Sequence, residues 1–182
     1  MRNGAGQAIL RRMLTRRLLP TIVVCLALLA VATVAGAGES RTARQLEAVK
    51  RATARFKDVS KAEAAGYAAT SECVTSRGGA MGVHYLNVAL LGDPKLDLRK
   101  PELLLYEAQE GGGMKLVGVE WMVLEKGQTR APRIMGRRFE GPMNHNGTAP
   151  MHYDLHVWTV RRNPRGAFSQ YNPRVSCEAD EG

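Results

Sequence analysis

Pro142-Met-Asn-His-Asn-Gly-Thr-Ala-Pro-Met-His-Tyr-Asp-Leu-His-Val-Trp158 holds three of the chain's four histidines, His145, His152 and His156. From Met151 to Val160 it is rich in Tyr, Leu, Val, Trp and Thr and reads as a β-strand. Asn-Gly-Thr-Ala-Pro bounds it upstream and Arg-Asn-Pro-Arg-Gly downstream, both turn formers. Side chains alternate faces along a strand. Tyr153, Leu155 and Val157 therefore form an apolar core face, and His152, Asp154, His156 and Trp158 share the other. His152 and His156 then stand ~13 Å apart, at about 3.3 Å per residue, too far to bind one ion on a regular strand. A ligand set has to combine one of them with residues from elsewhere.

Upstream lie two more strong strand segments, Glu102–Glu107 and Lys115–Leu124. Glu110-Gly-Gly-Gly113 between them predicts a hairpin. In the second strand Val117, Val119, Trp121 and Val123 are expected on the core face. Glu120 falls on the opposite face with Leu116, Gly118 and Met122. Glu107 shares a face with Leu103 and Leu105, where a solvated glutamate is the ordinary expectation. Residues 134–139 predict a further strand. Gly78-Gly-Ala-Met-Gly82 reads as a loop that lets backbone approach closely just before His84. It is no phosphate loop, because no Lys-Ser/Thr follows at the required spacing.

The segment before these strands is helical in pattern. Leu46, Val49, Ala52 and Phe56 recur at spacings of three and four. Ser60-Lys-Ala-Glu63 fits a capping box for a second helix, and Gly66 is placed to end it. Residues 42–66 thus predict a helical hairpin. Helices followed by antiparallel strands give an α+β fold, a mostly antiparallel sheet or partial barrel with the N-terminal hairpin packed on it.

Residues 1–37 belong to a different class. Five arginines and no acid occupy residues 2–17, an apolar run follows from Leu18 to Ala35, and Ala35-Gly36-Ala37 closes it. That order is a secretory signal peptide, favoured over an uncleaved anchor because small residues end it. Residues 38–182 then form a single domain, secreted or periplasmic, with no stable membrane insertion after cleavage. Cleavage lowers the net charge from +9 to +4. Without a dense basic run, that balance argues against a nucleic-acid partner. Cys25 leaves with the signal, so Cys73 and Cys177 remain as the only pair in an exported chain, and one disulfide is expected.

Ala65-Gly-Tyr67, Cys73, Met81-Gly-Val-His-Tyr85, Pro101-Glu-x-Leu-Leu-Tyr-Glu107, Leu116-Val-Gly-Val-Glu120, Gly141-Pro-Met143, His152-Tyr-Asp-Leu-His-Val-Trp158 and Asn172-Pro-x-Val-x-Cys177 together resemble a family of small exported bacterial proteins. The resemblance covers nearly the whole mature chain. It implies the signal peptide, the single domain and the disulfide, and assigns no reaction.

The chemistry expected of the histidines is a mononuclear transition-metal site. His84, His152 and Glu120 are the expected ligands, with His145 or His156 completing the set. Asp154 or Asn87 would orient an imidazole from behind. Imidazole with carboxylate suits zinc, iron or copper, and Met81, Met143 and Met151 near the histidines favour copper. No organic cofactor is expected; the partner would be a metal ion or a small molecule. The competing readings are a metal-free binding or hydrolytic pocket walled by Trp158, Tyr85 and Tyr153, with Glu120 and a histidine as base and acid, and a structural module of the cell envelope. No Gly-x-Ser-x-Gly elbow supports nucleophilic catalysis. One expectation is directly measurable: N-terminal sequencing of exported protein should start near Gly38, and material still carrying Met1 would contradict the signal reading.

Overall fold

The computed structural model describes residues 41–147 and 149–180, so the predicted signal segment lies outside the described residues. A compact unit runs from Arg44 onward. Helix α1 covers residues 41–53 and passes through a 3-10 turn, Ala54–Lys57, toward α2, Val59–Ala64. The α2 cap differs from the expected capping box. The Asp58 side chain accepts from the Ser60 backbone N–H at 3.1 Å and from its hydroxyl at 2.7 Å. Asp58 accepts well because it is already ionised, and that leaves Ser60 as a donor rather than the cap. Val49, Phe56 and Ala62 are buried on the apolar side of this segment. Among the described residues no helix is long and apolar enough to cross a membrane.

The strands are β1 Ala68–Ala69, β2 Val74–Ser76, β3 Gly79–Leu86, β4 Leu103–Ala108, β5 Met114–Leu124, β6 Arg133–Ile134, β7 Arg137–Arg138, β8 Glu140–Met143 and β9 His152–Val157, with the short helix α3, Val88–Gly92, after β3. Seven of them form one antiparallel sheet in the order β1-β3-β4-β5-β9-β8, with β2 also on β3. No pairing among the described residues joins β8 back to β1 or β2, so the sheet is open rather than a barrel. The predicted strand over 134–139 is instead the small β6–β7 hairpin, because Met135 and Gly136 at positive φ turn the chain there.

The glycine-rich stretch expected as a loop is the first half of β3. A side chain at Gly79 would place its Cβ 2.3 Å from the Asn172 carbonyl, and one at Gly82 would place it 2.4 Å from that of Tyr106. The glycines thus allow a strand where the backbone crowds its neighbours.

One face of the sheet packs on the helices. Val83, Tyr85, Leu104, Tyr106, Val119, Trp121, Tyr153, Leu155 and Val157 form this core with Val49, Phe56, Ala62 and Tyr67. Their polar tips are satisfied by backbone: the Tyr106 hydroxyl donates to Phe56 O at 2.6 Å and the Trp121 indole to Asp97 O at 2.9 Å. Val117 departs from the expected face. Leu105 pairs with Gly118 and Tyr106 with Leu116, so Val117 is the extra residue of a β-bulge. The bulge turns Val117 to the opposite side, and its carbonyl accepts from both Val160 and Arg161 N–H groups.

On that opposite side Val117 packs with Ala80, Leu105, Trp158, Val175 and the Cys73–Cys177 disulfide, under the C-terminal tail. Glu107 is buried here, not solvated. It accepts from the Ser176 backbone N–H at 3.0 Å and pairs with Arg161. A buried carboxylate needs such partners.

Two outcomes follow from the fold. Cys177→Ser should lower stability by ~2–5 kcal/mol, roughly 5–15 °C in melting temperature, measured by thermal denaturation. Glu102 is buried, and desolvation raises its carboxyl from 4.5 to about 7, against hydrogen bonds from its own and the Met122 N–H groups. The folded state therefore binds the proton more tightly than the unfolded chain. The stabilisation is complete below pH 4.5 and is lost as pH rises through 7. Glu102→Gln should remove this slope, up to about 3 kcal/mol, in denaturant melts at pH 4.5 and 7.5.

Candidate metal centre

The sheet order decides which histidines meet. Glu120 on β5 stands directly opposite His156 on β9. His84 on β3 lies one strand beyond β4, in register with Leu105 and, through it, with Gly118. The missing side chain at Gly118 matters here. A Cβ there would sit 3.0 Å from Val157 O and 3.3 Å from both the Leu105 and Trp158 side chains. That space is already filled by Leu105 and Trp158, which close the apolar end of this face beside the polar row.

The three donors converge in a buried position. His84 Nε2 is 3.3 Å from Glu120 Oε2, and His156 Nε2 is 3.4 Å from the same oxygen. Glu120 is 2% exposed, His156 3% and His84 8%. One atom of each lies within 4.8 Å of the others. His84 Nδ1 is 3.1 Å from Ser71 Oγ, which also accepts the His84 backbone N–H at 3.3 Å. His156 Nδ1 is 3.8 Å from Asp154 Oδ1. Each imidazole thus turns its Nε2 to Glu120; Ser71 holds the His84 ring from its Nδ1 side, whereas His156 Nδ1 only faces Asp154 beyond hydrogen-bond distance.

Further along the same face His145, His152 and Asp154 gather in a second group, again within 4.8 Å. His152 belongs here and not beside His84. The two positions are on one face, but four residues of strand separate His152 from His156, and the expected joint set of His84, Glu120 and His152 is replaced by His84, Glu120 and His156. His145 pairs with His152 in this second group. Asp154 lies between His156 and His152, 3.8 Å from a ring nitrogen of each, and hydrogen-bonds neither. Asn87 does not orient an imidazole. Its Oδ1 accepts from Leu90 N–H and its Nδ2 donates to Ala65 O, so it caps α3. Tyr85 and Tyr153 are buried in the helix-side core and Trp158 under the tail, so the expected aromatic pocket walls do not meet. Ser71 escaped the sequence reading, since a serine in an irregular loop carries no pattern.

The electrostatics of the row are unusual in one respect. Among the described residues, six buried side-chain polar atoms lack a hydrogen-bond partner, and four are here: Glu120 Oε2, His156 Nε2 and both oxygens of Asp154. Burial pushes the Glu120 carboxyl up, but the His156 and His84 imidazoles beside it hold it below the usual carboxylate range. Asp154 raises His152 above its ordinary 6.5, against desolvation, with help from the Pro150 carbonyl. Leaving a buried polar atom unpartnered costs ~1–3 kcal/mol, more for a charge. Models of known families, characterised proteins and solved structures were compared with this chain, and none matches.

Ser71→Ala should weaken metal binding about 10- to 100-fold without changing its stoichiometry, because it removes only the oxygen that orients His84. Competition with a chelating dye measures this, and unchanged affinity would show that Ser71 does not hold the ring.

Proposed function

We propose that this chain is an exported metal-binding protein whose principal site is His84, Glu120 and His156. One observation carries the reading: three buried donors, two of their atoms unpartnered, stand 3.3 and 3.4 Å apart across Glu120 Oε2. Atoms bound to one tetrahedral ion at ~2.0–2.1 Å stand about 3.3–3.4 Å from each other, so the spacing is that of ligands sharing an ion. A cation there answers the cost of burying Glu120, and it gives each Nε2 lone pair a partner other than another lone pair.

Two imidazoles and a carboxylate suit zinc, iron(II) or copper(II). Three protein ligands leave a fourth position for water or a small molecule, the donor count of catalytic rather than closed structural sites. The resemblance to small exported bacterial proteins and the Cys73–Cys177 disulfide agree with a role outside the cytoplasm. The structural alternative, a purely hydrogen-bonded histidine row, is opposed by the lack of hydrogen-bond geometry at His156 Nε2 and Glu120 Oε2.

The test is elemental analysis of the chain purified without a histidine tag. His84→Ala and Glu120→Gln should each remove one equivalent of metal. Unchanged metal content in both variants would overturn the site. At 100 times the dissociation constant, added metal should raise stability by ~2.7 kcal/mol. Ligating imidazoles must be neutral and the carboxylate ionised, so that stabilisation should fade as the solution is made acidic, read by melting with and without metal.

A further inference from the structure

We infer that His145, His152 and Asp154 form a second metal site, lying outward of the first and taking copper. The inference rests on the reading of the histidine row as metal-binding, and adds an ion of different preference.

His145 Nε2 and His152 Nε2 are 3.1 Å apart, and His152 Nε2 is 3.8 Å from Asp154 Oδ2. The tautomer of His152 follows from its other nitrogen. Nδ1 lies 2.7 Å from the Pro150 carbonyl, an acceptor only, so Nδ1 carries the proton and donates it there. In the neutral ring the Nε2 lone pair then points at His145 and Asp154. Both Asp154 oxygens are buried without a hydrogen-bond partner. This is a polar side chain, 1% exposed, aimed at a ring that itself presents a lone pair. A bound cation would give the Asp154 oxygens the partner they lack and would take the place of the hydrogen bond between His145 Nε2 and His152 Nε2.

The two sites differ in access and in softness. His145 is exposed on the 3-10 turn His145–Gly147, whereas every donor of the inner site is buried. His145 also holds a positive φ of 47°, uncommon for a residue with a side chain. Met143 stands directly opposite His152 across β8 and β9, so its thioether is on the histidine face. Two imidazoles beside a thioether and a carboxylate make a softer set than the inner one and favour copper. Asp154 links the sites, because Oδ2 faces His152 and Oδ1 faces His156. A cation outside draws on the carboxylate that also faces His156, and like charges in one buried row repel. The second ion therefore binds more weakly than the first.

The experiment loads the full, untagged chain with zinc, titrates copper(II), and reads stoichiometry by equilibrium dialysis and the copper signal by electron paramagnetic resonance. The wild type should hold one zinc and one copper, the copper showing nitrogen hyperfine coupling. His145→Ala, an exposed substitution checked for folding by circular dichroism, should keep zinc and lose copper. His84→Ala should lose zinc and keep copper, and Met143→Leu should reduce the preference for copper over zinc. Zinc-loaded wild type that takes no copper, or His145→Ala that binds copper like wild type, would overturn the outer site while leaving the inner one standing. Wild type that binds neither ion would overturn both.

Discussion

Glu120 is a carboxylate on an interior strand, 2% exposed, flanked by β4 and β9. Water cannot solvate it, and no backbone N–H turns toward its Oε2. An ionised group in that position has to be answered by positive charge from its neighbours. The pairing of β5 with β9 supplies His156 directly opposite, and the pairing through β4 brings His84 within reach. Neither imidazole alone is a permanent cation. Together with Glu120 they gather two ring nitrogens about one buried carboxylate oxygen, an arrangement that protons or a cation between them would stabilise.

The rest of the sheet is arranged around keeping that row on a face apart from the main core. The helix-side face takes the large apolar residues and packs against α1 and α2. The other face is divided. Leu105, Val117, Trp158 and the disulfide make its dry end, and the histidines and carboxylates occupy the remainder. The bulge at Val117 makes this division possible, because it moves one valine from the helix side to the dry end while leaving Glu120 in place. Ser71, two residues before Cys73, is held near His84 by the same loop that the disulfide anchors.

Much of this was legible in the sequence, and the reason is periodicity. Alternation along Met151–Trp158 assigned His152, Asp154 and His156 to one face, and the rise per residue already said that the two histidines cannot share an ion. The even cysteine count left once the predicted signal segment is set aside pointed to the disulfide that the structure contains. What alternation cannot carry is strand order. Whether Glu120 meets His152 or His156 depends on register between β5 and β9, a difference of four residues that no local pattern encodes. The bulge at Val117 was hidden for a related reason, since an extra residue in an apolar run leaves composition unchanged. The cap at Asp58 was missed because Ser60 offered an equally good local signature. Asn87 was read as a ligand partner, whereas its amide satisfies backbone groups at the ends of two helices.

The same logic explains why the row tolerates so much unpartnered polarity. A hydrogen-bonded structural network would be expected to place N–H donors against Glu120 and Asp154, as it does around Glu107, where Ser176 and Arg161 meet both carboxylate oxygens. Glu107 and Glu120 are both buried glutamates on adjacent strands of one sheet. The first is fully answered by the chain's own donors, and the second faces two ring nitrogens at ligand spacing without hydrogen-bond geometry. The fold can therefore satisfy a buried carboxylate where its role is structural. That it does not do so at Glu120, and again at Asp154, separates the histidine row from the structural polar groups and is what the proposed ion would answer.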